Sequence, residues 1–385
     1  MFIVHAMYDI AIKMLMGDRA KFLMLVSALT IASLLMTQQV AVFLGLMRWT
    51  TATLRNTQVK VWVVDPKVEQ LNEIKPMRDT DVARVRSVEG VKWAVPLYQS
   101  IQQARLNDGT FKSILFVGLD STTLIGAPPV MVQGKLSDLW QSKSVIIDEL
   151  GVQRLSSDPK HPISVGDSFE VNDNEARIVG IARTERSFFG YPYVYTTYER
   201  AIEFAPKQRK NLGFVLVEPA EGITPEVIAR RIEKVTGLKA YTEEEFFWST
   251  IWWFVRNTGI PVSFGTTITL GFIVGAAVCG QTFYMFILEN MRYLGALKAM
   301  GASNKLLTRM VLLQAFLVGF IGFGLGVGLA SIFGIVAIRV KQPPFYLPIS
   351  ALVASFIAIL IICSFSAWIG IRRVKKLEAA EVFRG

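Results

Sequence analysis

Four stretches of this chain contain no Asp, Glu, Lys or Arg: residues 22–47, 257–288, 310–338 and 342–371. Each exceeds the roughly 20 helical residues, rising about 1.5 Å apiece, that cross a hydrocarbon core. In lipid every backbone N–H and C=O must find its partner inside the protein, so runs of this length predict transmembrane helices. Buried core helices of a soluble protein are the bland alternative, and soluble folds rarely hold four such windows. The rest of the chain is far from apolar. Of its 385 residues, 52% are hydrophobic and 19% charged, with a mean hydropathy of +0.40. That balance fits neither a wholly soluble nor a wholly membrane-embedded chain. The expected fold class is a membrane α-helical protein with four transmembrane helices and an inserted mixed α/β extracytoplasmic domain.

The first run is too long for the roughly 7–15-residue core of a cleaved leader, and no small-x-small pattern marks its end at Met47-Arg48-Trp49. It is read as a retained helix. The boundaries that follow are 1–21 for an amphipathic lead-in helix, 22–47 for the first span and 48–257 for the large domain. The remaining spans are 258–288, 310–338 and 349–371. A cytoplasmic helix and loop occupy 289–309, a short outer loop 339–348 and a basic tail 372–385. Within the lead-in, Val4, Met7, Tyr8, Ala11, Met14 and Leu15 fall at helical spacing, with Lys13 and Asp18 off that face.

The net charge of +10 belongs to topology and not to nucleic acid. Residues 48–256 hold 27 basic and 26 acidic side chains, leaving 14 basic and 5 acidic for the membrane-flanking segments. Lys13, Arg19 and Lys21 precede the first span. Arg292, Lys298, Lys305 and Arg309 lie between the second and third, and Arg372, Arg373, Lys375, Lys376 and Arg384 follow the fourth. The positive-inside bias places both termini and the 289–309 segment in the cytoplasm and the large domain outside. Trp49, Trp248, Trp252 and Trp253 fall where interfacial aromatics are expected; packing at the helix tops is the alternative for the 248–253 cluster.

Inside the domain, strand-like runs at 59–64, 91–97, 100–106, 111–119, 144–148, 168–171, 176–181, 191–196, 212–217 and 238–241 alternate with helices near 79–87, after 148 through 155, from 197 onward and near 224–235. Asn107-Asp108-Gly109 and Asn172-Asp173-Asn174 read as hairpin turns. Two subdomains are expected, one from the two ends of the insertion and one from its middle, about 98–190.

Catalytic and metal chemistry find no constellation. Gly134-Lys135 lacks the rest of a phosphate-binding loop. His5 and His161 lie in unrelated segments, and Cys279 and Cys363 read as small apolar filler within helices. Glu243-Glu244-Glu245 reads as a solvated helix start. The spans carry no ionisable group, although ion-coupled carriers generally need one. Gln38, Gln39, Gln281 and Gln314 are the strongest intramembrane polar groups, best suited to bonding between helices. Gly271 with Gly275, and Gly322 with Gly324, Gly326 and Gly328, permit close helix packing within the subunit or across a dimer.

The segment that points to a function is Glu289-Asn290-Met291-Arg292-Tyr293-Leu294-Gly295-Ala296-Leu297-Lys298-Ala299-Met300-Gly301-Ala302-Ser303. It predicts a short helix with Leu294, Leu297 and Met300 on one side, Arg292 and Lys298 projecting outward, and Gly301 as the stop. Ala302-Ser303-Asn304 would cap the next helix. This segment resembles the FtsX-family permease signature R-x-x-E-I-G-x-L-K-A-I-G-A-S. Gly295, Leu297, Lys298, Ala299, Gly301, Ala302 and Ser303 match it, while Tyr293-Leu294 stands where Glu-Ile is usual. The run from Gly17 to Phe22 resembles the basic lead-in of these permeases. The layout of one helix, a large domain and three helices is similar to that of the MacB, LolC/LolE and DevC permeases. Gly280-Gln281-Thr282-Phe283 and 288–301 look most like DevC.

The resemblance implies the transmembrane subunit of an ABC transporter working by mechanotransmission. It implies a separate ATP-binding subunit, holding the ATP and Mg, docked on 289–303, and a second permease copy. It also implies a periplasmic adaptor, a TolC-like outer-membrane channel and residence in a Gram-negative type inner membrane. No cofactor in this chain and no enzymatic activity of its own are implied. Lipoprotein release of the LolC/LolE kind, and FtsX-like activation of a wall hydrolase without transport, stay open. The exported substrate is left unspecified.

Overall fold

A computed structural model describes residues 2–158, 160–206, 211–340 and 342–375, with side chains from Asp9 to Arg372 outside those gaps. The lead-in side chains Val4, Met7 and Tyr8, and the tail beyond 375, lie outside the described residues. The chain divides into two compact units, one of residues 1–46 with 259–385 and one of 47–258.

The first unit begins with helix α1 (Phe2–Gly17) and α2 (Arg19–Thr50). Asp18 separates them and caps α2: its carboxylate accepts the Lys21 amide at 3.1 Å and its carbonyl the Phe22 amide at 3.0 Å.

The second unit contains, in chain order, α3 (Ala52–Thr57), β1 (Val61–Val64), α4 (Thr80–Arg86), β2 (Val91–Arg105) and β3 (Phe111–Leu119). There follow β4 (Val130–Gln133), β5 (Ser144–Asp148), α5 (Glu149–Arg154), β6 (Ser168–Val171) and β7 (Asn174–Arg183). The unit closes with β8 (Tyr193–Thr197), α6 (Tyr198–Phe204), β9 (Phe214–Pro219), α7 (Pro225–Thr236), β10 (Lys239–Thr242) and α8 (Glu243–Asn257). The strands run in the order β10-β1-β9-β2-β3-β8-β5-β7-β4. β6 bridges β2 and β7, so β2, β3, β8, β5, β7 and β6 pair in a closed ring.

The two expected strand groups are visible, but β2 belongs to both. The sequence reads as two strands at 91–97 and 100–106, whereas the chain is one strand whose first half pairs with β9 and whose second half pairs with β3. The core also ignores the expected division. Side chains alternate across the strands, as a period of two requires. Val63, Phe116, Val145, Val194 and Val215 enter one core layer with α4, α6 and α7. Trp62, Val117, Ile146, Tyr193 and Leu216 enter the other, closed by Leu54 of α3 and Phe246 of α8. Both predicted hairpin turns are formed, with Gly109 at φ +82° and Asn172 and Asp173 at φ +47° and +62°.

The 243–257 segment forms a separate helix ahead of the second span. Its start is a capping box in which Thr242 and Glu245 exchange backbone-to-side-chain bonds of 2.9 and 3.1 Å. This accounts for Glu245, while Glu243 and Glu244 remain exposed at the first turn.

The first unit resumes with α9 (Ile260–Glu289), α10 (Met291–Ala299), α11 (Asn304–Val340) and α12 (Ile349–Lys375). α2, α9, α11 and α12 are long and apolar enough to cross a membrane. Their shared core contains Leu25, Leu29, Cys279, Phe283, Val311, Ile359 and Cys363, so both cysteines are buried packing groups.

The glycines of α9 and α11 settle into this core by letting α2 approach. Added Cβ atoms at Gly275 and Gly322 would come within 2.6 Å of the Cβ atoms of Ala32 and Leu29, and one at Gly326 would reach 2.6 Å from Ser33 Cβ. Gly271 faces Leu35 and Met36 at 3.8 Å. All four therefore face α2 of the same chain. Gly324 and Gly328 have open space around them.

Candidate functional site

The 289–303 segment is built by three local devices. Glu289 ends α9, and Asn290 starts α10 with its side chain donating to the Phe286 carbonyl at 2.8 Å. α10 then turns one face inward: Leu294, Gly295 and Leu297 are buried. At its end Gly301, at φ +97°, donates to the Lys298 carbonyl at 3.0 Å, and Ala302 donates to the Leu297 carbonyl at 3.0 Å. These two bonds make a Schellman turn, which asks for a left-handed residue at the glycine position. Ala302 is buried against the end of the helix, and Ser303 Oγ accepts the Leu306 amide at 3.3 Å to start α11.

One expectation for this segment needs correction. Met300 does not share a face with Leu294 and Leu297; it is 74% exposed. Seven residues make nearly two full turns, so Met300 falls back in line with Tyr293, itself 65% exposed. Lys298 lies four residues after Leu294, at the border of the buried face, and is half-buried. The outward face consists of Arg292, Tyr293, Ala296, Ala299 and Met300, all exposed. It is a strip of small and large apolar groups with one guanidinium at its start.

The residue that sequence reasoning missed is Lys21. Its ammonium pairs with Asp18 at 2.7 Å and also with Glu289. The lead-in and the signature segment, singled out separately in the sequence, thus meet at the junction of α2 and α9. Asp18 is held below the ordinary carboxylate range by the hydrogen bond from the Lys21 side chain and by its amide. No local sequence signal reveals this pairing, because its partners are far apart in the chain.

In the second unit, the last turn of α2 and the start of α3 are tied to the β7–β8 loop. Glu185 accepts from Arg48 Nη2 at 2.5 Å and from Arg55 Nε at 2.7 Å, and it trades backbone bonds with the Asn56 side chain at 2.8 and 2.9 Å. Burial opposes ionisation of Glu185, but the bonds from Arg48 and Arg55 outweigh it and hold the carboxyl below its usual value. Trp49 is half-buried beneath the Arg186 guanidinium, 5.7 Å from its ring centre. On α8, Trp248 and Trp252 face outward, Arg256 covers Trp252 at 5.6 Å, and Trp253 packs edge-on to buried Phe254 at 5.3 Å. Among the described residues no group of His, Cys, Asp and Glu could hold a metal ion.

The family model described as the MacB-like periplasmic core domain matches residues 23–235, more than half of the chain. That of the FtsX-like permease C-terminal region matches residues 247–379, which contain α9 to α11 and all of the 289–303 segment. The chain is an ABC transporter permease of the MacB/FtsX type. An uncharacterized ABC transporter permease of Mycobacterium tuberculosis is 25% identical to this permease over 325 residues, 80% of each chain. One of Methanocaldococcus jannaschii is 27% identical over 241 residues, 58% of each. The periplasmic region of MacB from Actinobacillus actinomycetemcomitans superimposes with a TM-score of 0.39 at 14% identity, over 53% of this permease and 96% of that chain. The extracellular domain of the transporter YknZ from Gram-positive bacteria gives 0.35 at 14% identity, over 48% and 98%. Membership makes this permease a membrane protein with an extracytoplasmic domain and implies an ATP-binding partner.

Proposed function

We propose that this permease is the transmembrane half of an ATP-driven export machine. A separate ATP-binding subunit, carrying ATP and Mg, docks on the outward face of α10 from the cytoplasm. Two permease copies pair, and nucleotide-driven motion passes through the helices to the extracytoplasmic domain, which works with a periplasmic adaptor and a TolC-like channel in a Gram-negative type envelope. The observation that supports docking is the build of α10: a short helix locked at both ends, with one face buried and an apolar strip of Arg292, Tyr293, Ala296, Ala299 and Met300 left open. Rigid, partly apolar surfaces of this kind suit specific protein contact.

The test is co-purification of the full-length permease with its ATP-binding subunit. Met300→Glu and Tyr293→Glu place charge on the open face without touching the buried one, so both should lose the partner while the permease keeps its melting temperature. A Lys135→Glu control in the extracytoplasmic domain should retain it. Undiminished capture by both α10 variants would sink the assignment. Capture of an adaptor by the extracytoplasmic domain would support the tripartite arrangement, and capture of a wall hydrolase in its place would overturn it.

A further inference from the structure

The turn between α11 and α12 holds a close-fitting contact that the docking reading leaves unused. Phe345 sits between α2 and α11. At Gly45 of α2, an added Cβ would lie 2.7 Å from the Phe345 nitrogen and 2.7 Å from the Pro344 carbonyl carbon. These are backbone atoms, so no rotamer change makes room. At Gly334 of α11, an added Cβ would overlap the Phe345 ring itself. Phe333 meets that ring edge-on with centroids 6.0 Å apart. The Tyr346 amide donates to the Ala41 carbonyl of α2 at 3.0 Å. One aromatic residue and its backbone thus occupy space cleared by a glycine on each of two helices, and the next residue is bonded to the first of them.

We infer that Phe345 is a positioning residue that joins the far end of α11 to α2, so that the two helices move together when the partner acts at α10. The chain of connection is continuous. The Schellman turn and Ser303 fix α10 to α11, and α11 is one helix from Asn304 to Val340. Nearer α10, Gly322 and Gly326 let α2 approach, with one long hydrogen bond of 3.4 Å from Ser33 Oγ to the Phe323 carbonyl beside them. Gly334 lies two helical turns further on, about 12 Å along the axis. A ring wedged there, with a backbone bond beside it, opposes both sliding and rotation, because packed interiors pass displacement on and do not absorb it. α2 is itself one helix to Thr50, and its Arg48 is held by Glu185.

This inference rests on the mechanical reading, and the experiment separates the two. Hydrogen exchange is followed in the full permease with its ATP-binding partner in lipid nanodiscs, with and without a non-hydrolysable ATP analogue and Mg. In the natural sequence, nucleotide should alter exchange both in 289–303 and in 48–58. Phe345→Ala should keep the change in 289–303 and lose the one in 48–58. Gly334→Ala, which displaces the ring from the other side, should give the same split, and Gly334→Ala combined with Phe345→Leu should restore both. Either single variant retaining both changes overturns the joint. So does loss of both with the partner still bound, because the joint would then not lie downstream of α10. Absence of any nucleotide effect at 289–303 in the natural sequence would refute the docking reading instead.

Discussion

The side-chain amide of Gln314 on α11 donates to the backbone carbonyl of Ala11 on α1 at 2.7 Å, with both residues buried. Ala11 and Leu15 sit in the same core as Leu307 and Met310, so α1 is fastened to α11. Gln314→Leu keeps the bulk and removes the bond. Interhelical bonds of this kind contribute about 0.6–2 kcal/mol in membrane proteins. The expected result is a modestly lower melting temperature in detergent and faster proteolytic release of residues 1–17, with partner capture unchanged. No change in release of that segment would show that the apolar contacts alone hold it.

The glycines divide into two classes with opposite expectations. Gly326→Ala and Gly322→Ala force a methyl group into α2, and overpacking of this sort costs about 1–3 kcal/mol. Gly324→Ala and Gly328→Ala meet nothing within 4 Å, and alanine is the better helix former by roughly 1 kcal/mol. The first pair should lower the melting temperature and the second leave it unchanged or raise it. A drop for Gly324→Ala or Gly328→Ala as large as that for Gly326→Ala would mean that a second chain covers that face.

The Arg48–Glu185–Arg55 cluster predicts a pH dependence. The folded pKa of Glu185 lies below its ordinary value of 4.5. Its contribution to stability is therefore complete above that ordinary value and is lost as pH falls through the lower folded one. Local opening of the 184–190 loop, followed by hydrogen exchange and corrected for intrinsic rates, should rise as pH falls below about 4.5. Glu185→Gln should open this loop at neutral pH and flatten the dependence. An unchanged acid profile in that variant would assign the effect to another carboxylate.

Gly301 tests the helix stop without steric complication. A Cβ there has open space, so Gly301→Ala is penalised only by the left-handed backbone, by roughly 1–2 kcal/mol. Exchange should increase across 291–303 and partner affinity should fall, while the extracytoplasmic domain stays as protected as before. Gly301→Asn, better tolerated at such positions, should be milder. Equal effects from Ala and Asn would argue against a backbone origin.

What could be read from the sequence is what depends on neighbours along the chain. The four spans follow from missing charge, the stop at Gly301 from glycine chemistry, and the hairpins from Asn-Asp-Gly and Asn-Asp-Asn. The failures share a cause in distant partners. β4 is four residues with a mostly exposed pattern and exists only because β7 pairs with it. α8 is legible at its start, Glu243–Glu245, but its body hides from periodicity because it is aromatic on both faces, with Phe246 and Phe254 inward and Trp248 and Trp252 outward. Lys21 with Glu289, and Phe345 with Gly45, are pairings between segments hundreds of residues apart. Met300 is different: its outward position follows from helical geometry, once seven residues are counted as just short of two turns.

Strand β2 bears on how the extracytoplasmic domain responds to load. At about 3.3 Å per residue, its 15 residues span roughly 50 Å of extended backbone. An extended chain has little slack to give under tension, unlike a loop or a hinge. A pull applied where β2 meets β9 is delivered to the ring of strands at its far end by covalent bonds rather than by side-chain packing. The domain is thereby stiff along one direction, like a tie rod, and compliance has to be found elsewhere in the molecule.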